Sequence, residues 1–129
     1  AIAAYGVIRA AAPPDRSSAS VTVNGYFAAL HDHNYARAWL FVSASRNDEE
    51  AQNEIASDWR ADDTRFGTVL SITIASTEND GPGKVTFQVH VMRANAPNTV
   101  MNYTLIVTQY DGSTWLIDSI SVANIRSIV

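Results

Sequence analysis

Proton transfer by an aspartate, histidine or tyrosine needs a second polar group converging on the same atoms, and this sequence offers few such pairs. His31-Asp32-His33-Asn34-Tyr35 brings two imidazoles, a carboxylate and a phenol into one short stretch. Asp32 and His33 would make a dyad, yet the stretch interrupts a helical pattern, where an aspartate ordinarily caps a helix and a nearby histidine is solvated. Capping is the expected role. Asp118 lies in the apolar run Trp115-Leu116-Ile117-Asp118-Ser119-Ile120, where a buried carboxylate must find a partner or keep its proton. An ion pair with an arginine is expected there in preference to a catalytic acid. His90 alternates with Gln88 and Met92 on the polar side of a strand, a better place for a subunit contact than for a general base. No catalytic residue is assigned on these grounds; Asp118, Tyr35 and His33 remain the candidates.

The same residues fail as a metal site. Adjacent helical positions diverge, so His31, Asp32 and His33 cannot easily converge on one ion, and the acidic run Asp48 to Asp63 has neither the spacing nor the glycine of a calcium loop. With no cysteine, thiolate nucleophiles, disulfides and cysteine-bound metals are excluded. A net charge of -4 and the lack of a basic cluster argue against a nucleic-acid partner. No metal and no cofactor is expected.

The elements that must position these side chains follow from periodicity. A chain of 129 residues, 47% hydrophobic and 17% charged, suits one globular core. Residues 1–17 read as an apolar arm ending in Pro13-Pro14, and residues 18–129 as the folded domain. The arm, with Ile2, Tyr5, Val7 and Ile8, is too short to cross a bilayer. Because the chain starts at Ala1 without methionine, it is read as a processed product with an upstream leader or membrane anchor removed, which favours an extracytoplasmic or envelope location. Val23, Tyr26, Phe27 and Leu30 recur at helical spacing after the caps Ser17 and Ser18; Tyr35, Ala38, Trp39 and Val42 make a short second helix; Ala51, Ile55 and Trp59 stripe a third, with its carboxylates in water. Gly25 in the first helix is read as a mark of close approach by another backbone. From Gly67 the period falls to two, giving strands over Val69 to Ile74, Lys84 to Arg93, Thr99 to Tyr110 and Thr114 to Val122. Val85, Phe87, Val89 and Val91 share one face, as do Met101, Tyr103, Leu105 and Val107, and Asp111-Gly112 closes a hairpin.

Helices followed by a four-stranded antiparallel meander define an α+β fold. Three segments, Val23-Asn24-Gly25-Tyr26-Phe27-Ala28-Ala29-Leu30, Asn34-Tyr35-Ala36-Arg37-Ala38-Trp39 and Gly112-Ser113-Thr114-Trp115-Leu116-Ile117-Asp118, resemble the opening and closing signatures of the NTF2-like (cystatin-like, cone-shaped) superfamily. These are packing residues. The resemblance implies a curved sheet wrapped on the helices with a cavity at its open end, lined by Tyr26, Trp39, Trp59, Phe87 and Tyr103. It does not choose among the isomerases, dehydratases and noncatalytic domains that share the fold. The leading expectation is a noncatalytic interaction or assembly domain that self-associates through its sheet face (Gln88, His90, Met92) and its arm, as a homo-oligomer or with an envelope partner. The alternative is a small-molecule binder or an enzyme of the isomerase or dehydratase type using the cone cavity, which requires an enclosed pocket on which at least two of Asp118, Tyr35 and His33 converge.

Overall fold

The computed structural model describes residues 14–46 and 51–127; the apolar arm with Ile2, Tyr5, Val7 and Ile8 and the acidic residues Glu49 and Glu50 lie outside the described residues. Helix α1 (Ala19–His31) is capped by Ser18, whose hydroxyl accepts from the Val21 N–H at 3.2 Å. Its inward face is Val23, Tyr26, Phe27 and Leu30. The chain turns at His33, which sits in the left-handed region at φ 56°, and Asn34 caps the short helix α2 (Tyr35–Trp39) by accepting from the Arg37 N–H. A single 3₁₀ turn (Ser43–Arg46) precedes helix α3 (Ala51–Phe66).

Gly25 answers to a side chain. A Cβ there would lie 2.6 Å from Phe41 Cζ, so the ring of Phe41, itself 1% exposed, occupies the space that a larger residue would need. The expectation of an approaching backbone is corrected accordingly. Gly25→Ala should lower stability by about 1–3 kcal/mol, because overpacking outweighs the gain in helix propensity; a urea midpoint equal to or above the wild type would contradict it.

The sheet runs β1 (Val69–Asn79), β2 (Lys84–Arg93), β3 (Ala96–Tyr110) and β4 (Thr114–Ser127), antiparallel and in chain order. β1 is longer than its sequence suggests. Register shifts after Val69 and after Ile74 break the alternation, and pairing then continues to Asn79 opposite Val85. Glu78 and Asn79 therefore belong to the strand and the turn is confined to Asp80–Gly83. β2 alternates buried and half-buried residues as expected, with Val85, Phe87, Val89 and Val91 inward. Asp111 and Gly112, at φ 52° and 77°, supply the left-handed pair that brings Tyr110 back opposite Thr114.

The first half of β4 is held from outside the sheet. The Trp115 N–H donates to Arg16 O at 2.9 Å and the Ile117 N–H to Phe41 O at 2.8 Å, while the buried Thr22 hydroxyl donates to Trp115 O at 2.9 Å. These bonds protect that stretch of the edge from strand addition. Helices α1 and α3 then cover the concave face, with Phe27 edge-on to Tyr103 and Tyr26 edge-on to Trp59.

Candidate functional site

The inward stripe of α3 continues past Ile55 and Trp59 to Asp63, and the inward face of β2 continues past Val91 to Arg93. The two side chains meet. Arg93 is 2% exposed, and its Nη1 donates to Asp63 Oδ1 at 2.8 Å and to Gly67 O at 3.0 Å, while Nη2 donates to the Tyr103 hydroxyl at 2.8 Å. The other carboxylate oxygen of Asp63 accepts from His33 Nδ1 at 3.0 Å and from the Tyr35 hydroxyl. His33 Nε2 completes the set against Thr68 Oγ1 at 3.1 Å. The left-handed turn at His33 is thus tied to this carboxylate.

Electrostatics follow from burial and pairing. Burial alone would drive proton loss from Arg93, but the Tyr103 hydrogen bond and the Asp63 charge outweigh it and raise its pKa. Burial, with the Asp63 hydrogen bond and charge, pushes the Tyr35 phenol up to about 12. Burial also raises Tyr103, against the pull of Arg93, and raises Tyr26, whose hydroxyl accepts from the Trp59 indole N–H at 3.0 Å. None of these phenols ionises at neutral pH. Asp63 is 10% exposed, so the expectation that the α3 carboxylates lie mostly in water is wrong for the one that organises the network.

Beside this network a cleft of about 340 Å³ opens between α3 and β4. Ile55, Trp59, Ile117 and Ile120 furnish apolar wall, and the buried Arg93 and Tyr103 close its inner side. Asp58 and Asp62, one helical turn apart, face it from α3, and Asp118 faces it from β4. Burial raises the pKa of Asp62, with Asp58 and Asp63 adding to the rise and Arg93 and Arg65 opposing it. A carboxyl with a raised folded pKa binds its proton more tightly folded than unfolded, so its contribution to stability is full below the ordinary value of 3.8 and is lost as pH rises through the folded pKa. Asp62→Asn should therefore raise Tm at neutral pH and leave it unchanged in acid; a neutral-pH Tm below that of the wild type would show that the carboxylate is stabilising.

Asp118 is placed by a bulge. Val107 pairs with Ile117 and Ile106 with Ser119, so Asp118 is the extra residue, and its exposed carboxylate accepts from Thr108 Oγ1 at 2.6 Å and the Tyr110 hydroxyl at 2.5 Å. Burial would raise its pKa, but hydrogen bonds from Thr108, Tyr110 and Ser43 together with the Lys84 charge hold it below the usual carboxylate value. The expected pairing with an arginine gives way to these hydroxyl partners. Of the three catalytic candidates, only Asp118 lines the cleft; Tyr35 and His33 are bound to Asp63. Of the expected cavity residues, Tyr26, Trp59 and Tyr103 line it, whereas Trp39 and Phe87 are sealed in the core at 4% and 2% exposure, Phe87 between its β-partners Thr77 and Leu105. Gln88, His90 and Met92 lie half-exposed on the opposite sheet face, where Gln88 Oε1 accepts from Asn102 and Thr104.

Asp63, Arg93, Asp58 and Asp62 escaped the sequence reading. The signal for the first two was present, since an arginine at the inward parity of β2 and an aspartate on the inward stripe of α3 each require a buried partner.

A solved structure from Campylobacter jejuni, named "Putative NTF2-like transpeptidase", superposes with a TM-score of 0.57, covering 79% of this chain and 99% of that one at 14% identity. The fold is NTF2-like. No protein-family model matches the chain, and neither does any curated protein. The cleft is bounded by α3 and the start of β4, and the Asp63–Arg93 pair is a strut behind it. Among the described residues no cluster of histidine and carboxylate side chains is placed to hold a metal ion, and no helix is long and apolar enough to cross a membrane.

Proposed function

We propose that this domain is a noncatalytic binding module that receives a small, largely apolar molecule in the mouth of its cone. The observation that carries the reading is the cleft of about 340 Å³, which falls in the range of small-ligand sites and combines apolar wall with a few polar groups. Its acid–base residues are already bound to one another. Asp63 is held by Arg93, Tyr35 and His33, and Asp118 by Thr108 and Tyr110, which leaves Asp58 and Asp62, two carboxylates on one helix with no histidine or lysine among the lining residues to pair with them in proton transfer. Transpeptidase chemistry, the activity in the name of the Campylobacter protein, calls for an activated nucleophile. Ser43 and Ser119 line the cleft with no histidine or lysine among its lining residues, so acyl transfer is not part of the proposal.

Titration with tyrosol, a neutral aromatic alcohol that fits the volume, should shift the Trp59 indole N–H resonance saturably, together with the methyls of Ile55 and Ile120. Absence of any shift at those three residues up to the solubility limit would overturn the reading.

A second reading, self-association through the outer sheet face, is favoured by its uncharged ladder of Gln88, Asn102 and Thr104 next to His90 and Met92. It predicts a concentration-dependent dimer in sedimentation that Gln88→Lys abolishes; a monomer at all concentrations would remove it.

A further inference from the structure

We propose that the cleft selects positively charged ligands, seating an ammonium group against Asp58 and Asp62 while the body of the molecule packs on Ile55 and Trp59. The inference rests on the reading of the cleft as a binding site and adds the chemical class of what enters it.

Four charged side chains line the site, Asp58, Asp62, Arg93 and Asp118, and their pairing is uneven. Arg93 is the only cation among the lining residues, and its guanidinium is matched by Asp63 at 2.8 Å. Asp118 is occupied by two hydroxyl donors and lies near Lys84. Asp58 and Asp62 are left. They sit one turn apart on the face of α3 that also carries Ile55 and Trp59, and only burial and neighbouring charges, with no hydrogen bond among the described residues, act on Asp62. The nearby cation Arg65 is engaged over the Phe66 ring at 5.0 Å. A half-buried carboxylate without a donor is destabilised in its charged form, as the raised pKa of Asp62 reflects, and an incoming cation relieves that cost.

An independent feature also points to an occupant. Arg93 is 98% withdrawn from solvent by its 2% exposure, lines the cleft, and has no partner for its Nε–H among the described residues. Buried donors are almost always satisfied, so we read this one, shielded on a side chain that lines the cleft, as the donor that a ligand oxygen meets by displacing its cover. The ligand class is therefore an amine on an aromatic or aliphatic body whose far end carries an acceptor oxygen, the pattern of a phenolic amine.

Four matched probes separate the possibilities, each followed at the Trp59 indole resonance. Tyramine carries the ammonium and the phenol, tyrosol replaces the ammonium by a hydroxyl, phloretic acid replaces it by a carboxylate, and phenethylamine lacks the phenol oxygen. Tyramine should bind about tenfold more tightly than tyrosol, with phloretic acid weaker still, and the advantage should shrink in about 1 M salt, where the Debye length is about 3 Å. Asp62→Asn and Asp58→Asn should each weaken tyramine binding by a larger factor than tyrosol binding, so that the preference for tyramine narrows. Phenethylamine should bind more weakly than tyramine; equal affinity would overturn the role given to Arg93. Equal affinity for tyramine and tyrosol would overturn the charge selection and leave the cleft as a binding site. Failure of all four probes to shift Trp59 would overturn both.

Discussion

Asp63→Asn should cost about 3–5 kcal/mol, a large part of the stability of a domain of this size, because it leaves a fully buried guanidinium without its counter-charge. Arg93 is held at 2% exposure by the sheet and by α3, so it cannot swing into water when the carboxylate is lost. Its remaining partners, Gly67 O and the Tyr103 hydroxyl, are neutral and offset only part of the desolvation. The same substitution removes the acceptor charge facing His33 and Tyr35, so the left-handed turn between α1 and α2 loses its anchor as well. The decisive comparison is the double variant Asp63→Asn with Arg93→Met. If the cost lies in the uncompensated charge, the double variant should be more stable than Asp63→Asn alone, since methionine fills the same region without needing a partner. Urea unfolding of the three variants reads this directly. A loss below about 1 kcal/mol for Asp63→Asn would place this pair in the class of weak surface ion pairs and sink the argument.

That pair also shows which parts of the molecule were legible in the sequence. Elements were legible wherever one face repeats without interruption: β2 alternates from Val85 to Arg93 with no break, and Asp111-Gly112 has the turn chemistry that its hairpin uses. Bulges hid the rest. The shifts after Val69 and Ile74 masked the length of β1, and the extra residue at Asp118 turned a side chain that alternation would have placed inward toward hydroxyl donors at the surface. The network was hidden for another reason. His33, Asp63 and Arg93 are each 30 residues from the next, and pairing of that kind is decided by how α3 crosses the sheet, which periodicity does not encode. Their parity alone was visible, and parity reports that a charge is buried without naming its partner. The carboxylates of the cleft were obscured by their neighbours, because Asp58 and Asp62 sit in an acidic run that pattern alone reads as a solvated helix face.

Trp59→Ala should have the second-largest effect, about 3–5 kcal/mol, and should abolish tyrosol and tyramine binding together. The indole is 8% exposed, stacks on Tyr35 with ring centroids 6.2 Å apart, and meets Tyr26 edge-on at 5.9 Å. Truncation removes this packing and leaves the buried Tyr26 hydroxyl without the indole donor, a further penalty of about 1–3 kcal/mol within that range. Trp59→Phe separates the two contributions. Phenylalanine keeps most of the apolar wall and loses the N–H with part of the bicyclic ring, so its stability should fall by the hydrogen-bond term and a small cavity term while ligand affinity, followed at Ile55 and Ile120, falls by less than about threefold. If Trp59→Phe lost binding as completely as Trp59→Ala, the indole N–H and not its surface would be the recognition element, and the apolar-wall account of the cleft would have to be replaced by one built on that hydrogen bond.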